Sequence, residues 1–215
     1  MYIGRIAAVG QTPAGRFCAG YRVSSRSFPN RTVSLDAARA SVVPREGHES
    51  DIMRNPYIAY NCVRIVCGGN VAVVTNGAQT DPVAEKIEMG TPARDALILS
   101  LLALDFERDK YNTPRIAAVA DKRGDRSAWL AVVRDDGLET RRVSLEAGCL
   151  SYVATYEENS LVETQRDRFT GESAADMCRH ILGQGVFAER ERPVTAVGVV
   201  ETDTGFEMYS QDAGV

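Results

Sequence analysis

The sequence predicts an α+β fold, a four-layer α/β/β/α sandwich of two mainly antiparallel sheets. Three observations predict it. Strand-like segments follow one another as hairpins instead of alternating with helices. Two helices stand side by side between two blocks of hairpins. One further helix lies near the C-terminal end. The chain has 215 residues, within range for one large domain. It carries no linker, low-complexity tract or internal repeat, so residues 1–215 are expected to form a single domain.

The elements read as follows. Tyr2 to Val9 is β-rich and stops at Gly10; Pro13 and Gly15 turn the chain, and Phe17 to Val23 returns as a second strand. Ala38 to Val43 is a short strand ended by Pro44. Ile58 to Val66 and Val71 to Thr75 flank Gly68-Gly69-Asn70, a strong hairpin signal. Thr80-Asp81-Pro82 supplies a cap and an early proline for a helix running toward Gly90. Thr91-Pro92 repeats that signal and opens a helix to about Arg108. Its middle, Ala96 to Leu104, is apolar on all sides, which predicts burial on both faces. Strands follow at Arg115 to Ala120, Ser127 to Arg134, Leu138 to Val143 and Leu150 to Tyr156, with Asp135-Asp136-Gly137 as one of the turns. Ser173 caps an amphipathic helix ended by Gly183 and Gly185. Val194 to Val200 and Phe206 to Tyr209 form the closing hairpin.

Composition narrows the function. Apolar residues make up 44%, enough for a substantial core, and the net charge is −4. An acidic balance argues against nucleic acid and anionic membranes as partners, since both need clustered cations. One local basic pocket for a phosphorylated ligand is compatible with it. The 5 cysteines are scattered and odd in number, which fits reduced core thiols better than a disulfide scaffold. No basic start with a long apolar stretch precedes the first strand, and no apolar run could span a bilayer. A cytoplasmic location is therefore expected. His48 and His180 lack ligand spacing, which argues against zinc. The absence of GxGxxG, Walker A and GxSxG motifs argues against dinucleotides, ATP and a serine-hydrolase triad.

Several clusters could carry chemistry. Arg22 to Arg31 holds Arg22, Ser24, Ser25, Arg26 and Arg31 within ten positions. Strand alternation puts Arg22, Ser24 and Arg26 on one face. Guanidiniums match phosphate oxygens, and hydroxyls suit a ribose. A solvated edge strand guarded by arginines is the alternative. Arg54 to Asn61 presents Tyr57, Tyr60 and Asn61 near a strand start. The tyrosines could stack on a heterocycle or donate a proton, or serve as strand aromatics. Asn76-Gly77 precedes a helix N-terminus, where free N–H groups can meet an anion, or is simply a turn. Asp105 and Glu107 end that apolar helix, and acidic groups at a helix C-terminus oppose the macrodipole at a cost of about 0.3–1 kcal/mol each. Solvent exposure would explain them equally. Asn112, Arg115 and Glu157 lie in comparable connecting positions.

Five blocks together resemble the archaeal-type IMP cyclohydrolases. They are Met1 to Arg5, Tyr21 to Arg31, Arg54 to Asn61, Leu101 to Glu107 and Asn112 to Ala117. The resemblance covers most of the chain and is strongest before about residue 120. It implies a fold like that of the N-terminal nucleophile hydrolases, without their chemistry. Position 2 is Tyr, not Cys, Ser or Thr, so an amidohydrolase would lack its nucleophile. The implied reaction closes 5-formamidoimidazole-4-carboxamide ribonucleotide to IMP with loss of water, using no metal and no cofactor. The implied assembly is a homo-oligomer, with a tetramer as one candidate form. Under this resemblance Arg31 would steady the formyl oxygen, Tyr60 would donate to it or stack on the imidazole, and Glu107 would relay the proton. Arg22, Ser24, Ser25, Arg26, Asn76 and Gly77 would hold phosphate and ribose. Asn112, Arg115 and Glu157 would line the base pocket. A non-catalytic purine-nucleotide sensor on the same scaffold is the competing expectation, with an amidohydrolase as the third.

Overall fold

A computed structural model describes residues 1–214. The strands are β1 (Ile6–Gln11), β2 (Phe17–Ser24), β3 (Arg31–Asp36), β4 (Arg39–Pro44), β5 (Tyr60–Val66), β6 (Val71–Thr75), β7 (Arg115–Asp121), β8 (Ser127–Arg134), β9 (Gly137–Arg142), β10 (Cys149–Ala154), β11 (Arg166–Arg168), β12 (Pro193–Thr202) and β13 (Gly205–Asp212). The helices are α1 (Asp51–Arg54), α2 (Thr80–Glu88), α3 (Ala93–Leu104) and α4 (Ala174–Gly183). A 3-10 turn at Pro56–Ile58 leads into β5.

Two antiparallel sheets form, with orders β11-β10-β1-β2-β12-β13 and β3-β4-β5-β6-β7-β8-β9. Three apolar clusters hold them. One lies between the sheets and joins Val9, Phe17, Tyr21 and Val197 to Val42, Val63, Val74 and Ile116. Another packs Met177, Cys178 and Ile181 of α4 on the outer face of the first sheet. The last packs Ile87, Leu97 and Leu101 of α2 and α3 on the outer face of the second. The α+β class is as expected, and the arrangement is consistent with a sandwich. Each central strand is buried on both faces: every residue of β2, β6 and β7 is buried. Such strands read as continuous apolar runs instead of alternating ones.

Four expectations need correction. The helix α3 is not covered on its outer side: Leu102 is 69% exposed and Leu99 is 51% exposed. Only Ala96, Leu97, Ser100, Leu101 and Ala93 face the sheet, and an all-apolar sequence cannot say which side that will be. Thr80 is not the cap of α2 but its first residue; its hydroxyl donates to the carbonyls of Gly77 and Asn61 instead. The strand β3 was hidden because it is an edge strand with only Arg31 and Val33 buried. The strand β11 was hidden because it is three residues long and reads Arg-Asp-Arg.

The expected cap of α4 is present. Ser173 Oγ accepts from the Asp176 N–H at 3.1 Å, and Asp176 Oδ2 accepts from the Ser173 N–H at 3.0 Å. This reciprocal box satisfies donors that a helix start leaves open. The Ser173 hydroxyl, then the Glu172 N–H, hold the Asp176 carboxyl down to about 2. A depressed carboxyl contributes stability above its unfolded value of 3.8, and that contribution is lost as pH falls toward about 2. Asp176→Ala should therefore lower unfolding stability at pH 7 by about 1 kcal/mol. Denaturant titrations should show its gap from the wild type closing as pH drops below 3.8.

Candidate active site

Register decides which residues meet. β1 pairs β2 with Ile6 opposite Arg22, and pairs β10 with Ile6 opposite Ala154. The segment before β1, the exit of β2 and the exit of β10 therefore share one end of the sandwich. Around that end lies a pocket of about 280 Å³, near the lower end of ligand sites, roughly 300–1,000 Å³. Tyr2 and Arg5 line it from before β1, Ser25 to Phe28 from after β2, and Arg31 from the start of β3. Asn55, Tyr57 and Ile58 line it from the turn before β5, and Glu107, Asp109 and Tyr111 enter from the loop after α3.

The backbone at Gly4-Arg5 is tied to the end of β10. The Arg5 N–H donates to Thr155 Oγ1 at 3.0 Å, and the Thr155 N–H donates back to the Arg5 carbonyl at 3.1 Å. Gly4 has φ +73, and a Cβ there would lie 2.1 Å from Thr155 Oγ1. Only glycine fits both constraints. This tie sends the Arg5 side chain into the pocket wall, where Nη2 donates to Glu107 Oε2 at 3.1 Å.

Glu107 is 1% exposed. Its loop is shaped by a bridge to Thr113 (N–H to carbonyl, 2.8 Å), and Asp109 accepts from the Tyr111 and Thr113 N–H groups. Arg115 Nη1 faces Glu107 Oε1 at 3.6 Å, outside hydrogen-bond range, and Oε1 is buried without a partner. Burial pushes the Glu107 carboxyl up from its ordinary value; Arg5 and Arg115 oppose that, and Asp109 adds to it. Burial likewise disfavours the Arg5 charge, but Glu107, then Tyr60 and Tyr21, outweigh it and raise its pKa.

Arg31 is 3% exposed, and its Nε donates to the Phe28 carbonyl at 3.0 Å. Among the described residues no carboxylate pairs with it. Burial brings its pKa down, with Tyr60 opposing and Arg5 adding. A buried guanidinium with spare donors on a pocket wall is suited to an anionic or carbonyl oxygen. Tyr60 is half-buried beside Arg5 and Arg31, and its hydroxyl meets that of Tyr21 at 2.6 Å. Burial raises the Tyr60 phenol, and the two guanidiniums pull it back in part. Tyr60 does not itself line the pocket.

The structure brings together Arg31, Ser25, Arg26 and Glu107 of the expected set, with Arg115 directly behind Glu107. It separates others. Arg22 is fully buried and points under α4, donating to the carbonyls of Ile181, Phe187, Arg190 and Glu191. Ser24 accepts from Arg22 Nε at 3.0 Å and is equally buried. Alternation was right to join those two, but the strand ends at Ser24, so Arg26 leaves their face. Asn76 serves the backbone, accepting from the Ile116 N–H and donating to the Pro114 carbonyl. Gly77 packs behind Glu107, where a Cβ would lie 2.8 Å from Arg115 Nη1. Asn112 is exposed and donates to Asp135, and Glu157 is exposed outside the pocket. Asp105 is half-buried and pairs with Arg108.

Sequence reasoning missed Arg5, Tyr2, Asp109, Tyr111 and Tyr156. Tyr2 stacks on Tyr156 at 5.8 Å, Tyr111 meets Tyr156 edge-on at 6.1 Å, and the Arg26 guanidinium lies 4.2 Å from the Tyr2 ring centre. Arg5 and Tyr2 fall inside a block already singled out, but no spacing rule links residue 5 to residue 107. Among the described residues no cluster of His, Cys, Asp and Glu could hold a metal ion, and no helix is long and apolar enough to cross a membrane.

A half-enclosed pocket lined by arginines, one buried acid and stacked tyrosines, on a layered α+β scaffold, is the make-up of an enzyme for a small molecule. By sequence the chain belongs to the family described as IMP cyclohydrolase-like protein, whose model matches residues 2–205. Proteins named IMP cyclohydrolase match nearly its whole length. That of Methanococcus maripaludis strain C6 is 44% identical over 209 residues, 97% of this chain and 98% of its own. That of Methanocella arvoryzae is 43% identical over 97% of this chain and 96% of its own. That of Methanocaldococcus jannaschii is 38% identical over 94% and 96%.

The geometry separates two arginines that composition treats alike. Arg22→Gln should lower stability by roughly 2–4 kcal/mol, because several buried carbonyls lose a charged donor. Arg26→Ala should leave the melting temperature almost unchanged, since its ion pair with Glu191 is exposed. Thermal unfolding of both variants checks this. Equal losses would place Arg22 elsewhere than under α4.

Proposed function

We propose that this chain is an IMP cyclohydrolase that closes 5-formamidoimidazole-4-carboxamide ribonucleotide to IMP. The observation that carries it is the pocket itself: buried Arg31, which no carboxylate pairs, and buried Glu107 line the same pocket in a member of this family. In the reaction the carboxamide nitrogen bonds to the formyl carbon and loses one proton. The formyl oxygen takes up negative charge and then a proton, giving a cyclic carbinolamine. Its hydroxyl then leaves as water as the former formamido nitrogen gives up its proton, and the pyrimidine ring is complete.

The reacting groups belong to one molecule, so alignment is worth effective molarities of about 10⁵–10⁸ M. In this scheme the pocket supplies the rest. Glu107 accepts the amide proton and passes it to the leaving oxygen. Arg31 donates to the developing oxyanion, a contribution of roughly 3–4 kcal/mol for one such donor. Tyr60 supports Arg31 and Arg5 from behind the wall, a different place from the direct contact expected of it. Arg26 with Ser25 at the mouth takes the phosphate, and the Tyr2–Tyr156 pair offers a face to the imidazole. Arg22, Ser24, Asn76, Asn112 and Glu157 have no part in this assignment. A single domain with layers as in the N-terminal nucleophile hydrolases, a homo-oligomeric state and a cytoplasmic location belong to the same proposal.

The test mixes purified protein with the formyl ribonucleotide, adds neither metal nor nucleotide, and follows IMP by ultraviolet absorbance. Turnover is expected. Binding of IMP without turnover would indicate a purine-nucleotide sensor, and neither effect would reject both. Glu107→Gln should lower kcat by about 10²–10⁴-fold, the usual share of acid–base help, with IMP affinity kept within a few-fold. Because burial raises the Glu107 carboxyl above the ordinary 4.5 and the base works ionised, the acid limb of kcat should lie above pH 4.5. It should be absent from the residual rate of the Gln variant.

A further inference from the structure

Arg5, just before β1, differs from Arg22, the fully buried arginine of β2. Arg22 spends its donors on main-chain carbonyls and a serine hydroxyl, the pattern of a side chain that cements the fold. Arg5 makes one side-chain hydrogen bond, to Glu107 Oε2, and its Nε is buried with no partner. Its side chain is 12% exposed and lines the pocket alongside Glu107. The Gly4–Thr155 tie spends backbone geometry on aiming it there.

We propose that Arg5 is a positioning residue that fixes the Glu107 carboxylate at the pocket wall for the ring closure. This rests on the cyclohydrolase reading above and adds a residue to it. The groups facing Glu107 are few. Arg5 comes from the segment before β1, Arg115 from β7, and Asp109 from its own loop. Arg115 stands at 3.6 Å and directs Nη1 to Gln79 Oε1 at 3.1 Å and Nε to the Asp105 carbonyl at 2.8 Å. Among the described residues Arg5 is therefore the one cation in hydrogen-bond contact with the carboxylate. Without it, burial and Asp109 would act against only Arg115, and Glu107 would hold its proton to higher pH. It would also lose the bond that keeps Oε2 facing the wall.

The test reads Glu107 directly. Protein with ¹³C-labelled glutamate carboxyls is titrated by NMR, and the Glu107 signal is assigned by its loss in Glu107→Gln. In Arg5→Gln the Glu107 titration should move up by about one pH unit or more, the usual effect of removing an adjacent opposite charge. The acid limb of kcat should move with it, while KM changes little. Arg5→Lys keeps the charge and should show a smaller move in the same direction; it carries the comparison if the Gln variant does not fold. A folded variant that titrates like the wild type, with only its melting temperature lowered, would overturn the proposal. A shifted Glu107 in a protein that never forms IMP would support the placement of Arg5 and overturn the cyclohydrolase reading alone.

Discussion

β1 is hydrogen-bonded on both edges, to β2 and to β10, and the site depends on that double pairing. Because Ile6 stands opposite both Arg22 and Ala154, residues 2–5, 25–28 and 155–156 must leave the sheet at the same end. The second sheet delivers Arg31 and the approach to β7 to that end as well, through the apolar layer between the sheets. A slip of β1 by one residue would turn its core face outward and carry Arg5 away from Glu107. The layer that excludes water from the core thus also fixes the separations in the pocket.

Charge is distributed against the average of the chain. The protein is acidic overall, at −4, yet Arg5, Arg26 and Arg31 line the pocket together with Glu107 and Asp109. Taking a guanidinium out of water is unfavourable unless an oxygen meets it. Arg22 meets carbonyls and Arg5 meets Glu107, while Arg31 spends only Nε, on the Phe28 carbonyl. An arrangement that leaves such a group incompletely met is stabilised when a ligand brings an oxygen. The donors that Arg31 leaves unspent are suited to an oxygen acceptor.

Much of the fold was legible because hairpin turns and helix stops are local. Gly68-Gly69-Asn70, Asp135-Asp136-Gly137 and Ser173 each act within a few residues, and each sits where expected. The edge strands were not legible, since β3 and β11 owe their form to a neighbour more than to their own pattern. The site was legible in part. Arg31, Arg26, Ser25 and Glu107 stood out by type, but type alone could not remove Arg22. That residue and Arg26 are four apart and would share a strand face, had the strand not ended at Ser24. Arg5 was invisible because its partner lies 102 positions away.

Glu107 and Asp105 show why the loop after α3 had to be seen. Both are acids just past a helix C-terminus, where the macrodipole disfavours them. Asp105 sits at the end of α3 with φ +56 and turns the chain sharply. Its side chain is partly exposed and pairs with Arg108, while its carbonyl accepts from Arg115. Two residues on, the bridge to Thr113 folds the chain back and drives Glu107 inward onto the same arginine. One arginine thus holds the turn by its Nε and faces the buried acid by its Nη1. The outer acid makes the corner that the buried acid needs, so the helix end that looks unfavourable for both supplies the geometry for one.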